Sequence, residues 1–414
     1  MIRPLYSLVV IGAQPLLRRK LRRRGAAEPG YLEHMEERFG RYHEVSAPGR
    51  LWIHAVSLGE TRAAAILLEA LRRAQPDLRI LLTHGTATGR AEGTRLLREG
   101  DAQAWLPWDT PRAVRGFLEH FRPSAGVLME TEVWPNLAAA CHAREVPLVL
   151  ANARLSEKSL TQARRLARLS QPAYAALHAA WAQTQEDARR LALAGATVKG
   201  VFGNLKYDAT PDAEQVRLGR DWRSTAQRPV VMFASSREGE EAEFLRAIAA
   251  HPGVQWLLVP RHPQRFDEVA ALVAQSGLTV SRRSAWSDAP APGDVWIGDS
   301  LGEMALYYGM ADVALLGGSF AKLGGQNLIE AAACGCPIVM GPHTFNFSEA
   351  AELAEAAGAA RRVGSMEEGV RAAVELAGDA ATRAAAAQAG ERFAAAHRGA
   401  AAKTADAVLA LLAR

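Results

Sequence analysis

The sequence predicts an α/β protein of two doubly wound, Rossmann-like domains, and three observations carry that expectation. Short apolar runs alternate with amphipathic stretches along the chain, the pattern of parallel strands joined by helices. The two halves open alike: LWIHAV-SLGE at 51–60 and PVVMFA-SSREGEE at 229–241 are each followed by a helix and another strand. A length of 414 residues suits two to three domains, and 49% hydrophobic with 22% charged residues is ordinary for a globular protein.

In order, the strand 51–56 leads through the loop 57–60 into an amphipathic helix over 61–74, then a strand over 79–83 (RILLT). The turn 84–89 (HGTATG) precedes another helix. A strand over 124–129 (SAGVLM) stops at Glu130-Thr131-Glu132, a helix follows over 135–144, and a strand over 147–151 (PLVLA). The strand 198–202 (VKGVF) closes the first half, and the loop 203–208 (GNLKYD) leaves it. The second half takes a polar helix over 212–224, strands over 229–234 and 254–260, a polar loop over 281–292, and strands over 311–316 and 337–340. From 365 onward the chain is alanine-rich and helical. These elements divide as 1–30, a membrane-associating segment; 31–210, a first Rossmann-like domain; and 211–414, a second.

The net charge of +5 and a pI near 9.3 point to acidic partners without choosing among them. Arg3, Arg18, Arg19, Lys20, Arg22, Arg23 and Arg24 all precede the first acid, Glu28, and surround the apolar run 5–17. That run falls short of the ~20 residues that cross a bilayer and lacks a cleavage site. An apolar segment followed by a basic cluster is what an interfacial anchor on an anionic leaflet needs. The alternative is a first helix packed on the protein with a solvated basic end. Cys141, Cys334 and Cys336 make no disulfide framework, which fits a reducing compartment.

Ligands of open α/β sheets bind outside the carboxyl ends of strands, so the loops at 57–60, 130–132, 203–206, 260–262, 300–303 and 324–330 are the candidate site. Gly324-Gly325 ends a loop and Asn327 opens a short helix, where free N–H groups favour an anion. Asn327 and Glu330 share a face, and Glu330 suits a pair of ribose hydroxyls. Together these describe a nucleotide, although a capping pair without ligand reads the same. Glu60 is either a dipole partner in a first turn or a general base. Glu130 and Glu132 follow a buried strand, and one of them could cap the next helix. Lys206 is either solvated or placed to neutralise a leaving phosphate. Arg261 offers a planar fork to phosphate or carboxylate, and His262 reads as structural. The chain has no GxxxxGK[ST] loop, no GxGxxG after the first strand, no GxSxG, no HExxH and no Asp-x-Asp pair, so ATPase, NAD enzyme, serine hydrolase and metal site are disfavoured.

The ordered set of HAVSLGE (54–60), METEVWPN (129–136), ANARLS (151–156), GNLKYD (203–208), SREGEE (236–241), PRHPQRF (260–266), GDSLGEM (298–304), GGQNLIEAA (324–332) and MGPHTFNF (340–347) resembles the 3-deoxy-D-manno-octulosonic acid (Kdo) transferases of lipopolysaccharide synthesis. Gln326 and Arg237 depart from it, since the family commonly has histidine at both. The resemblance implies a GT-B glycosyltransferase whose domains face each other across a cleft, inverting and without metal or cofactor. The donor would be CMP-Kdo and the acceptor the lipid A precursor lipid IVA, at the cytoplasmic face of the inner membrane, with no nucleic-acid partner. It makes Glu60 the general base and Glu130 and Lys206 transition-state stabilisers. Pro260, Arg261, Leu301, Gly302, Glu303, Asn327, Leu328, Ile329 and Glu330 would bind CMP. The alternatives are a GT-B sugar-nucleotide epimerase, which needs no anchor, and a nucleic-acid binder, which lacks interleaved aromatics.

Overall fold

A computed structural model describes residues 2–43, 46–208 and 210–413. The chain divides into two compact units. The first runs to Asp208 and takes in the chain again from Arg398; the second ends at His397. The last 17 residues, Arg398–Arg414, therefore belong with the first unit, whereas the sequence reading carried them in the second.

Seven strands form the sheet of the first unit: β1 (Leu51–His54), β2 (Ile80–His84), β3 (Ala102–Trp105), β4 (Ala125–Met129), β5 (Leu148–Ala153), β6 (Ala179–Ala182) and β7 (Val198–Val201). Their order is β3-β2-β1-β4-β5-β6-β7, and all pairs are parallel. The strands are nearly continuous apolar runs because both faces are covered. Successive side chains point to opposite faces. Trp52, Leu81, Leu128 and Leu150 pack on one side with the helices Pro111–Phe121 and Pro135–Ala143. Leu51, Ile53, Ile80, Val127 and Val149 pack on the other with helix Leu58–Ala74 and the last helix, Ala400–Leu412.

The second unit repeats the plan with β8 (Val230–Ser236), β9 (Gln255–Pro260), β10 (Val280–Arg282), β11 (Val295–Ile297), β12 (Val313–Leu316), β13 (Ile338–Met340) and β14 (Ala360–Arg362). The order is β10-β11-β9-β8-β12-β13-β14, again parallel throughout. The predicted polar loop over 281–292 is corrected at its start, since Ser281 and Arg282 belong to β10.

The N-terminal run is one helix, Ile2–Ala27, with Pro15 inside it. Ser7, Leu21 and Gly25 are its buried positions. Ser7 Oγ lies 3.1 Å from the buried Asn136 Oδ1, and the Tyr6 phenol bonds Asp109. At about 100° per residue, Ile2, Leu5, Leu8, Val9 and Leu16 fall on the opposite side, and all are exposed. Among the described residues no helix is long and apolar enough to cross a membrane.

Candidate active site

In the first unit the strand order reverses at β1, which has β2 on one side and β4 on the other. The crevice at such a switch point is where open α/β sheets take ligands. Glu60 follows β1 and Glu130 follows β4. Ser57 caps helix Leu58–Ala74 by accepting from the Glu60 N–H at 3.4 Å. In return the Glu60 carboxylate accepts from the Val56 N–H at 2.8 Å and the Ser57 hydroxyl at 3.2 Å. This is a variant of the capping box, with the carboxylate reaching the N–H one residue before the cap, and the helix starts at Leu58 rather than at 61.

Glu60 is thereby fixed in place, yet its acidity is unusual. Burial pushes its pKa up from 4.5 to about 7, the charges of Glu130 and Glu132 add to this, and the Val56 and Ser57 hydrogen bonds oppose it. A dipole partner in a first turn should be held as the anion. Glu60 instead shares a proton with solvent near neutrality, which is what a general base needs.

Glu130 is buried and has φ +60°, and its neighbour on β5, Asn152, has φ +51°. A non-glycine residue held in the left-handed region costs about 1–3 kcal/mol and persists where the surroundings fix it. The fixing contacts are visible. Arg154 Nε reaches Glu130 Oε2 at 2.9 Å and Lys206 Nζ lies 3.6 Å from Oε1. Asn152 Oδ1 accepts from the Leu205 N–H at 3.0 Å, which locates the short 3-10 turn carrying Lys206. Arg154, just past β5, is therefore the closer cation on Glu130.

Beside Val56 a cavity of about 170 Å³ is lined by Arg38, His54, Trp108, Glu132 and Trp134 among others. Burial holds the His54 imidazole neutral, with its pKa down at about 3, and raises Glu132. Arg38, its charge stacked 3.9 Å from the Trp105 ring centre, also lies on this wall. Neither Arg38 nor His54 stood out in the sequence, because a lone histidine in an apolar strand gives no signal of its own.

In the second unit the reversal falls at β8, between β9 and β12. The loop after β12 turns its N–H groups inward on a protein carboxylate. Glu240, 2% exposed, accepts from Gly318 at 2.8 Å, Phe320 at 3.2 Å, Ala321 at 3.1 Å and Arg237 at 2.9 Å. This internal anion, present in the sequence only as one acid of SREGEE, occupies the backbone nest a ligand phosphate could otherwise use.

Further along, Gly324 and Gly325 take φ +88° and +76°, and a side chain at Gly324 would strike Asn346 and Phe345. The chain then enters helix Leu328–Ala333, only six residues long. Asn327 Oδ1 accepts from the Ile329 N–H at 3.1 Å, so the predicted capping role is present and one of the first-turn donors is already used. Leu328 and Ile329 are buried, which leaves only their main chain to meet a ligand.

Arg261 follows β9, whose last residue is Pro260, and its Nε donates to Gln326 Oε1 at 3.2 Å. The departure at Gln326 thus supplies a neutral acceptor that orients the fork. Burial raises the Tyr308 phenol, and the charges of Glu330 and Arg261 act on it in opposite directions, so both predicted residues lie within electrostatic reach of that ring. Arg237, Arg261 and Arg265 each depress His262, after the larger effect of its burial, so the end of β9 is strongly cationic. Glu303 receives Arg283 at 2.8 Å and bonds the Ser300 hydroxyl. Leu301 is 75% exposed and Gly302 has φ +82°, a loop tip whose Gly302 carbonyl accepts from the Gln215 amide at 3.0 Å.

Residues 33–209 match the family profile described as 3-deoxy-D-manno-octulosonic-acid transferase (kdotransferase). The chain is 48% identical to the 3-deoxy-D-manno-octulosonic acid transferase of Bordetella pertussis, covering 98% of both chains. It is 34% identical to that of Haemophilus influenzae, covering 83% of both. Among solved structures it resembles Anabaena HepE in complex with UDP, with TM-score 0.58 and 16% identity over 87% of this chain and 99% of that one. It also resembles the UDP-GlcNAc 2-epimerase of Neisseria meningitidis, with TM-score 0.56 and 14% identity over 88% and 99%. At such identities these two speak for the fold alone. The two seven-stranded parallel sheets have the GT-B architecture, and the chain belongs to the 3-deoxy-D-manno-octulosonic acid transferase family of glycosyltransferases.

Proposed function

We propose that the enzyme transfers Kdo from CMP-Kdo to a hydroxyl of a lipid A precursor, lipid IVA, with inversion at the anomeric carbon. The observation that carries this reading is Glu60, a rigidly held carboxylate with its pKa at about 7 at the switch point of the first unit. Glu60 takes the proton of the acceptor hydroxyl. The hydroxyl oxygen forms the new bond to the anomeric carbon as the bond from that carbon to the CMP phosphate breaks, and CMP leaves with the electron pair. Glu130, with Lys206 and Arg154 on its carboxylate, stabilises the charge that develops. The cavity beside Val56 leaves room for the acceptor's ring.

On the donor side, Arg261 meets the phosphate and Glu330 the ribose. The main chain of Pro260, of Leu301-Gly302 and of Asn327-Leu328-Ile329 shapes the rest, with Glu303 set by Arg283. The exposed stripe of helix Ile2–Ala27, continued by Arg19, Lys20 and Arg23, lies on the anionic cytoplasmic face of the inner membrane, where the lipid acceptor resides. The test is incubation of the purified protein with CMP-Kdo and lipid IVA. Release of CMP with a product heavier by Kdo, its new linkage inverted relative to the donor by NMR, is the expected result. Retained configuration, or no transfer, overturns the reading.

A further inference from the structure

Helix Ile2–Ala27 meets its unit through Ser7, which bonds Asn136 on helix Pro135–Ala143. Between it and the helices Pro111–Phe121 and Pro135–Ala143 runs a groove of about 510 Å³. Its walls are apolar, with Pro4 and Leu8 from one side and Val114, Ala139 and Ala140 from the others. Its polar members are chiefly of one sign. Arg3, Arg115 and Arg144 all line it. Arg115 makes no ion pair among the described residues, and Arg144 has only an exposed contact with Glu119 at 3.4 Å, of a kind worth little. Arg3 acts electrostatically on Asp109, which is already engaged by the Asn136 and Leu137 N–H groups at 2.9 and 2.8 Å and by Tyr6. Ser7 and Asn136, both buried and bonded to each other, line the groove as well.

We infer that this groove binds a single anionic glycerophospholipid, its phosphate among Arg3, Arg115 and Arg144 and one acyl chain along Leu8 and Val114. The chemistry is that of an amphipathic anion: apolar walls for hydrocarbon, and guanidinium forks matched to phosphate oxygens. Leu8, 65% exposed, belongs both to the groove and to the exposed stripe. A bilayer lipid can therefore enter sideways without leaving the membrane. The inference rests on the reading that this helix meets a bilayer, but its test does not need one.

Monomeric dihexanoyl phosphatidylglycerol, below the concentration at which it aggregates, is titrated calorimetrically into the full-length protein. Saturable one-to-one binding is expected, weakened about tenfold or more by Arg115→Gln with Arg144→Gln, as for loss of charge-assisted hydrogen bonds. Both side chains are exposed, so the fold is retained, and an unchanged circular dichroism spectrum and melting temperature verify that. Dihexanoyl phosphatidylcholine, with the same chains and a zwitterionic head, should bind several-fold less well, and millimolar inorganic phosphate should not compete. Glutamate at Leu5, Val9 and Leu16, which lie outside the groove, should abolish vesicle binding and leave the short-chain lipid bound, so failure of the membrane reading is distinguishable. Absence of saturable binding, equal binding by the double variant, or displacement by inorganic phosphate or by lipid IVA overturns the inference.

Discussion

Glu60 starts a helix and is the base proposed above, and substitution separates the two duties. Glu60→Gln keeps the acceptor for the Val56 N–H and removes the base. Turnover should fall about 10²–10⁴-fold, the usual worth of general-base catalysis, with CMP affinity unchanged because the residues proposed to hold the nucleotide lie in the other unit. Turnover within a few-fold of wild type would remove Glu60 from the chemistry and make Glu130 the next candidate. The raised pKa adds two pH signatures. The base acts ionised, so turnover should climb with pH and level off above about 7. For stability, the unfolded chain loses this proton near 4.5 while the folded one keeps it to about 7. Folded protein therefore binds more protons in that window, and stability falls as pH rises through it. Gln cannot ionise, so Glu60→Gln should gain melting temperature over wild type at pH 8 and not at pH 4. On the donor side, Glu330→Ala should weaken CMP binding by about 1.5–3 kcal/mol, the loss expected for hydrogen bonds to a charged acceptor. Wild-type affinity by calorimetry would take Glu330 out of the ribose site.

At the scale of elements, helix Ile2–Ala27 serves two surfaces at once. Removing residues 1–24 would release the stripe but also strip Ser7 from Asn136, Tyr6 from Asp109 and Leu21 from its cluster with Tyr31 and Phe39. Glutamate at Leu5, Val9 and Leu16 is the cleaner change. These exposed positions contribute little to folding, and three buried charges cannot sit in the acyl boundary. Co-sedimentation with phosphatidylglycerol vesicles should drop by more than tenfold at an unchanged melting temperature; undiminished binding would place the membrane contact elsewhere. This helix shows what the sequence makes legible. The apolar run and basic cluster were plain, but the polar latch through Ser7 was not, because no local pattern encodes a partner 129 residues away. The strands divide in the same way. β1, β4, β8, β9 and β12 are rich in branched and aromatic side chains and could be read directly. β6 is AAWA and β14 is ARR, which are strands only because neighbouring strands pair with them, so tertiary context overrides weak propensity. In the candidate site, Glu60, Asn327 and Glu330 carry a local signature of their own. Arg154, Asn152 and Glu240 do not, since their roles come from loops meeting at strand ends.

At the scale of the whole molecule, sequence order and unit membership part company at the end of the chain. Asp208 closes the first unit, and its carboxylate receives the N–H groups of Gly399 and Ala401 at the start of the last helix. That helix then lays Ala400, Ala401, Ala405 and Val408 into the core formed with Leu67, Leu71 and Ile53. Deleting residues 399–414 should therefore damage the first unit, although the deletion lies at the far end of the sequence. Burying those three alanines and one valine is worth about 4 kcal/mol at the usual return per apolar group, a large fraction of a domain's ~5–15 kcal/mol. Hydrogen exchange should rise in helix Leu58–Ala74, whose covered face is opened, and in β1, which carries the loop of the proposed base Glu60. Transfer should be lost with it. Arg261 and Glu330, proposed to hold the nucleotide, belong to the second unit, whose core of Phe233, Phe244, Leu258 and Val339 is untouched, so CMP should still bind within about twofold, since changes at distant and independent sites do not couple. Loss of CMP binding together with transfer would show that the second unit needs this helix, and protection lost first around Phe233 and Phe244 would assign the helix to the wrong core.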